Sequence, residues 1–254
     1  MSQQERFDQF AALHVPGDPV VLFNVWDVGS ARAVETAGAK ALATGSHSVA
    51  EANGYSDGEE TPLGFVVENA ARIVKGVEIP VSIDFEAGYG DTPEIAAESL
   101  TQLAETGIVG VNIEDGLFGK GIRSVDNQAV RLKALAAVRS SSGAEVWINA
   151  RTDLFLQSKP EDHGTFVSEA VERGAAYAEA GARSFFIPGL ADLDLISKVC
   201  ESSELPVNVM ATGKGPSVAE FASAGVGRVS FGGYPWHKAM KNLADTALGV
   251  MGGA

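Results

Sequence analysis

Short apolar runs rich in Val, Ile and Phe alternate with longer Ala-rich amphipathic segments from Pro19 onward. The runs have strand length and the segments between them have the spacing of helices with one apolar face, which is the signature of a repeated βα unit. The runs are VVLFNVW (20–26), KALATG (40–45), PVSIDF (80–85), VGVNIE (109–114), EVWINAR (145–151), RSFFIP (183–188), PVNVMA (206–211) and RVSFGG (228–233), eight in all. Gly38, Gly107, Gly181 and Gly225 each precede a run, where a helix C-cap calls for a left-handed residue. Eight such units close into one barrel without a free sheet edge. The pattern therefore predicts an α/β fold, a (β/α)8 TIM barrel, as a single domain over residues 1–254. A doubly wound open sheet fits less well, because no GxGxxG follows the first strand.

Composition narrows the function. The chain has 254 residues, 45% of them hydrophobic, enough for a large core. Its 19 Lys+Arg against 33 Asp+Glu give a formal charge of −14, the wrong sign for holding nucleic acid or an anionic membrane. Neither is expected as a partner. One cysteine, Cys200, rules out an internal disulfide framework and a Cys-based zinc site. The N-terminal MSQQERFDQFAALH carries no apolar signal core, and no run approaches membrane-spanning length, so a cytoplasmic location is expected.

In a barrel of this kind the chemistry sits at the C-terminal ends of the strands. Run three ends in IDFEAGYG, placing Asp84 and Glu86 two apart, on the same side if the chain stays extended. Run four ends in NIEDG, with Glu114 inward by alternation. Asp84, Glu86 and Glu114 would form an all-oxygen cluster suited to Mg²⁺. Arg151 follows WINA at the end of run five, where its planar fork serves an acid or an anionic ligand. Run two ends in TGSHSV, where the N–H groups of Gly45 and Ser46 are expected to receive an oxyanion. His47 and Asp57 lie in or after that turn. GLFGKGIRS after run four, with three glycines around Phe118, Lys120 and Arg123, has the make-up of a closing loop.

These motifs, in this order, make the chain similar to the isocitrate lyase and phosphoenolpyruvate mutase superfamily. The likeness rests on WDVGSARAVETAGAKAL, the run-two end with Asp57 after it, DFEAGYG, IEDG and NARTD. It implies a (β/α)8 barrel whose last helix is exchanged between subunits of a homodimer or homotetramer. It implies Mg²⁺ bound directly by Asp84, with Glu86 and Glu114 nearby mainly through water. Asp57 matches the aspartate beside the reacting centre, Gly45 and Ser46 the carboxylate-receiving backbone, with His47 beside them, Arg151 the arginine at the breaking bond, and Lys120 the gating-loop lysine. The superfamily's decarboxylases use a histidine near the start of the last helix, which His237 offers.

Departures from the pattern bear on the reaction. The KKCGH loop of isocitrate and methylisocitrate lyases is absent, and Ile122 and Pro188 stand where phosphonate-handling members carry Asn and His. The implied activity is a Mg²⁺-dependent lyase acting on a C–C bond of a small 2-oxo or 2-hydroxy acid, through an enolpyruvate-like intermediate. The alternatives are a phosphonomutase, a sugar-phosphate enzyme using the Gly-rich turn at Lys214, and a non-catalytic binding barrel. GxSxG and P-loop patterns are absent.

Overall fold

The computed structural model describes residues 1–117, 119 and 121–252. Eight parallel strands form one sheet: β1 Val20–Leu22, β2 Leu42–Ala43, β3 Val81–Asp84, β4 Gly110–Glu114, β5 Trp147–Arg151, β6 Ser184–Phe186, β7 Val207–Met210 and β8 Arg228–Ser230. Each lies inside its predicted run, shortened to the residues that find a ladder partner. Before β1 comes α1 (Gln3–Ala12), and between β1 and β2 comes α2 (Val28–Thr36). Two helices, α3 (Ser46–Ala52) and α4 (Leu63–Gly76), separate β2 from β3. The connections then carry α5 (Pro93–Ala104), α6 (Val125–Ala136), α7 (His163–Glu179), α8 (Leu193–Ser202) and α9 (Val218–Ser223), and α10 (Tyr234–Met251) closes the chain.

The ladder runs β1-β8-β7-β6-β5-β4-β3-β2. The gap between β1 and β2 is closed above the strands by a parallel bridge between Val25 and Thr44, with Val25 N donating to Ala43 O at 2.9 Å and Gly45 N to Val25 O at 3.3 Å. The barrel is thus (β/α)8 and nearly closed. No helix among the described residues is long and apolar enough to cross a membrane.

Alternation sorts each strand into two faces. Val111, Ile113, Ile148, Phe185, Val209 and Val229 face the helices in the main core. Their neighbours Asn112, Asn149, Ser184, Asn208, Arg228 and Ser230 are buried on the other side, and the barrel axis is polar. Below them α1 closes the base: Phe7 and Phe10 cluster with Val20, Leu22, Ala43 and Trp147. Gly110 leaves room for this plug, since a Cβ there would stand 3.0 Å from Trp147 O and 3.2 Å from the Phe10 ring.

At the other end of the chain α10 buries only Pro235, while Leu243, Leu248, Val250 and Met251 are exposed. Val21, on the outer face of β1, is also partly exposed. Exchange of this helix between subunits is an expectation that a single chain does not display.

His14 belongs to the base. Its ring stacks on Trp147 at 4.4 Å, and Nδ1 is 2.8 Å from Phe10 O, so the neutral ring donates there. Burial, with the positive Arg228 nearby, lowers its pKa from 6.5 to about 3. The folded protein keeps this ring neutral where the unfolded chain binds a proton. Its contribution is therefore complete above pH 6.5 and lost as pH falls toward 3. Relative to a His14→Gln variant, the wild type is expected to lose up to about 1.4 kcal/mol of stability per pH unit across that window, read by urea unfolding at stepped pH.

Candidate active site

A cavity of about 190 Å³ opens at the C-terminal end of the barrel, and Asp57, Asp84, Asn112 and Arg151 are among the residues lining it. The connections after β2 and β3 build one side by gripping each other. Glu86 does not continue the extended strand: its φ of +50° turns the chain out of β3. Its Oε2 accepts the N–H groups of Gly58 and Glu59 at 2.9 and 2.6 Å, and its Oε1 accepts Tyr89 Oη–H at 2.6 Å. Glu59 in return accepts Tyr89 N–H at 2.6 Å. Glu59 and Tyr89 also have positive φ, 62° and 50°, so three non-glycine residues hold a left-handed backbone within one clamp. Such conformations persist only where the surroundings over-determine them. The clamp sets the position of Asp57, next to Gly58. Asp57 is exposed at the mouth yet closely walled, and partial desolvation with the charge of Asp84 raises its pKa. Burial lifts Glu86 to about 7.

Asp84 stands between the two sides. Its Oδ2 accepts Ser46 N–H at 3.1 Å, and its backbone N–H donates to Thr44 Oγ1 at 3.0 Å. Its Oδ1 is buried without a partner among the described residues. The expected triad of converging carboxylates is not formed: among the described residues no three His, Cys, Asp or Glu side chains are placed to hold a metal. The physical reason is that Glu86 is spent on backbone N–H groups and Glu114 on Arg151. The donor set suits a hard cation with one direct protein ligand, Asp84 Oδ1, and otherwise water or ligand oxygens, which is how Mg²⁺ is commonly held.

On the other side Arg151 is locked between two carboxylates. Its Nη1 meets Glu114 Oε2 at 2.6 Å and its Nε meets Asp153 Oδ1 at 2.6 Å. Burial pulls the guanidinium pKa down, but Glu114, Asp153 and Asp84 lift it above its usual value, so it stays charged. Burial raises Glu114, and Arg151 offsets only part of that. Behind this pair lies a second set. Asp115, fully buried, accepts Asp153 N–H at 2.9 Å, Tyr177 Oη–H at 2.8 Å and Arg173 Nη1 at 3.2 Å. The connection is tight: a Cβ on Gly116 would run into the Asp153 carboxylate.

The N–H groups of Gly45 and Ser46 are not open to a ligand, contrary to expectation, because one closes the barrel and the other holds Asp84. His47 and His237 meet at the rim with Nε2 atoms 3.1 Å apart, His237 exposed on the first turn of α10. Lys120 and Phe118 lie outside the described residues. The loop containing them is pinned at its ends by Leu117 N to Gly121 O at 2.9 Å and Arg123 N to Asp115 O at 2.8 Å. Cys200 sits on α8, half-buried, its thiol pushed up to about 12 by burial, which leaves it inert.

Residues 10–251 match the family model for phosphoenolpyruvate phosphomutase. The chain belongs to the phosphoenolpyruvate mutase family. Its fold superimposes on a Burkholderia cenocepacia J2315 protein named as a phosphonomutase with a TM-score of 0.94, at 43% identity, over 99% of this chain and all of that one. It is 32% identical over 244 residues to an uncharacterized protein of Mycobacterium tuberculosis, covering 96% of this chain and 89% of the relative. A 2,3-dimethylmalate lyase, a member of the phosphoenolpyruvate mutase/isocitrate lyase superfamily, matches with a TM-score of 0.81 at 25% identity, over 96% of this chain and 83% of its own.

Within this family frame, sequence reasoning misses Asp153 and Asn112. Asp153 is readable as the D of NARTD, two residues after Arg151, but its ion pair depends on the turn after β5. Asn112 sits mid-strand in an apolar run and carries no local signal. Asp115→Ala is expected to cost about 3 kcal/mol, because it leaves the buried Asp153 N–H and Tyr177 Oη–H without their acceptor while Arg173 keeps Glu169, as chemical denaturation would show.

Proposed function

We propose that this protein is a Mg²⁺-dependent lyase that cleaves a C–C bond of a small 2-oxo or 2-hydroxy acid through an enolpyruvate-like intermediate. The observation that carries the reading is the charge and polarity of the cavity. Arg151 is the only cation among its described lining residues, and it is already matched by Glu114 and Asp153. The wall formed by Leu156, Phe186, Pro188 and Met210 is apolar. A departing CO₂ or carbonyl compound is neutral and suits such a wall, whereas a phosphoryl dianion needs several unshared donors. The relation to a 2,3-dimethylmalate lyase supports the same class.

Bound Mg²⁺ would supply electrostatic stabilisation of the charge that develops on the 2-oxo oxygen. The chain does the rest. Asp84 holds the ion, and Ser46 N–H fixes the carboxylate that does so. Arg151, immobilised from both sides, orients a carboxylate of the substrate at the breaking bond. With a 2-oxo acid the pair of the breaking C3–C4 bond passes to the 2-oxo oxygen. With a 2-hydroxy acid Asp57 takes the 2-hydroxyl proton as C2 becomes a 2-oxo carbon and the C2–C3 pair passes to the other fragment. In either case His237, paired with His47, returns a proton to the carbon that held the pair. Lys120 and its loop close the cavity against water.

A second reading, rearrangement or cleavage at a P–C bond, is favoured by the 43%-identical phosphonomutase-named relative. We also read the protein as a cytoplasmic homodimer or homotetramer, supported by the unburied apolar positions of α10. Sedimentation giving a monomer would overturn the assembly.

The test of function is proton and phosphorus NMR of oxaloacetate, alkyl-substituted malates and phosphonopyruvate with protein and Mg²⁺. Pyruvate or 2-oxo acid release that disappears in Asp84→Ala, and that falls on the order of 10²-fold or more in His237→Ala, is the expected result. Conversion of phosphonopyruvate alone would establish the second reading. Absence of turnover together with absence of Mg²⁺-dependent stabilisation would indicate a binding barrel.

A further inference from the structure

The floor of the cavity lies on the barrel axis, one layer beneath the Glu114–Arg151 pair. There Asn112 of β4 sits beside Asp84 of β3 in the sheet register. Asn112 is 3% exposed, lines the cavity, and its Nδ2 donates to no described residue. Its Oδ1 accepts two bonds, from Asn149 Nδ2 at 2.7 Å and Arg228 Nη2 at 2.9 Å.

Which end of a side-chain amide faces a cavity is set by its hydrogen-bond network. Here that network begins on both sides with groups that can only donate. On one side the indole Nε1–H of Trp147 donates to Ser184 Oγ at 2.8 Å. Ser184 Oγ–H donates onward to Asn149 Oδ1 at 2.7 Å, which leaves Asn149 Nδ2 to donate to Asn112. On the other side a guanidinium has no acceptor at all. Both series end on Asn112 Oδ1, and turning its amide over would set its NH₂ against the Arg228 guanidinium, which cannot accept. The NH₂ group is the end presented to the cavity.

Arg228 adds charge to this arrangement. It is fully buried, and its Nε and Nη1 have no partner among the described residues. A guanidinium held inside a barrel without a carboxylate against it is costly, and its field falls on Asn112 directly.

We infer that Asn112 Nδ2 is a ligand-binding donor that receives an oxygen of the bound acid, a carboxylate or enolate oxygen, with Arg228 as the positioning residue that locks and polarises the amide. The inference rests on the proposed small-acid site, and is independent of which bond is broken.

Asn112→Asp keeps an oxygen for both inward donors and gives Arg228 a carboxylate, while turning the donor that faces the cavity into an acceptor. With oxalate as probe and Mg²⁺ present, calorimetry is expected to show binding weakened on the order of tenfold or more, with a Tm no lower than the wild type. Because added charge alone disfavours an anion, a crystal structure of the wild type with oxalate and Mg²⁺ provides the direct reading. It should place an oxalate oxygen about 3 Å from Asn112 Nδ2. Oxalate bound away from that atom, unchanged affinity in Asn112→Asp, or no oxalate binding by the wild type would each overturn the inference. The contact in the crystal with no turnover of any 2-oxo or 2-hydroxy acid would overturn the lyase instead and leave this assignment standing.

Discussion

The site is organised around a buried cation held between two acids. Arg151 emerges at the end of β5 with Glu114 on one side and Asp153 on the other, each at 2.6 Å. A charged pair in this setting is worth keeping only if its geometry is enforced, since desolvation offsets much of the attraction. The enforcement comes from behind. Asp115 grips the backbone of Asp153 and is itself gripped by Tyr177 and Arg173 of α7, so the packing of one helix against the barrel is transmitted to the guanidinium.

The opposite wall is held by a different device. Glu86, Glu59 and Tyr89 adopt left-handed backbone and satisfy each other's donors across the connections after β2 and β3. Arg151 is immobilised by charge, whereas Asp57 is immobilised by this short strained clamp. Between the two walls Asp84 keeps one oxygen uncommitted. A rigid enclosure around one open ligand atom matches a reaction that depends on preorganised electrostatics rather than on a nucleophile, and Cys200, the only thiol, lies elsewhere.

Much of this arrangement is legible in the order of residues along the chain. The alternation of apolar runs and amphipathic segments locates all eight strands, and the rule that chemistry gathers at strand ends singles out Asp84, Glu114 and Arg151, which the structure brings into one neighbourhood. Ser46, Gly45 and Glu86 stand out by the same rule, but for the wrong contacts. Their local sequence shows a turn with spare N–H groups and a second acid in line with Asp84. Only the fold reveals that Gly45 N–H closes the barrel, that Ser46 N–H is taken by Asp84, and that Glu86 turns away to seize the loop beside Asp57.

The amino-acid sequence by itself determined the repeat, the barrel and the strand ends on which the acids and Arg151 stand, because these follow from short-range periodicity and from the level of each residue along its strand. Tertiary structure alone decided which acid keeps a free oxygen, which acid pairs with Arg151, and which end of Asn112 faces the cavity. Those outcomes depend on partners far apart in the chain, such as Arg228 and Asn112, 116 residues apart, that meet only when β8 and β4 face each other across the closed barrel. Hydrogen-bond polarity is a property of such a closed network, and no local pattern of residues carries it.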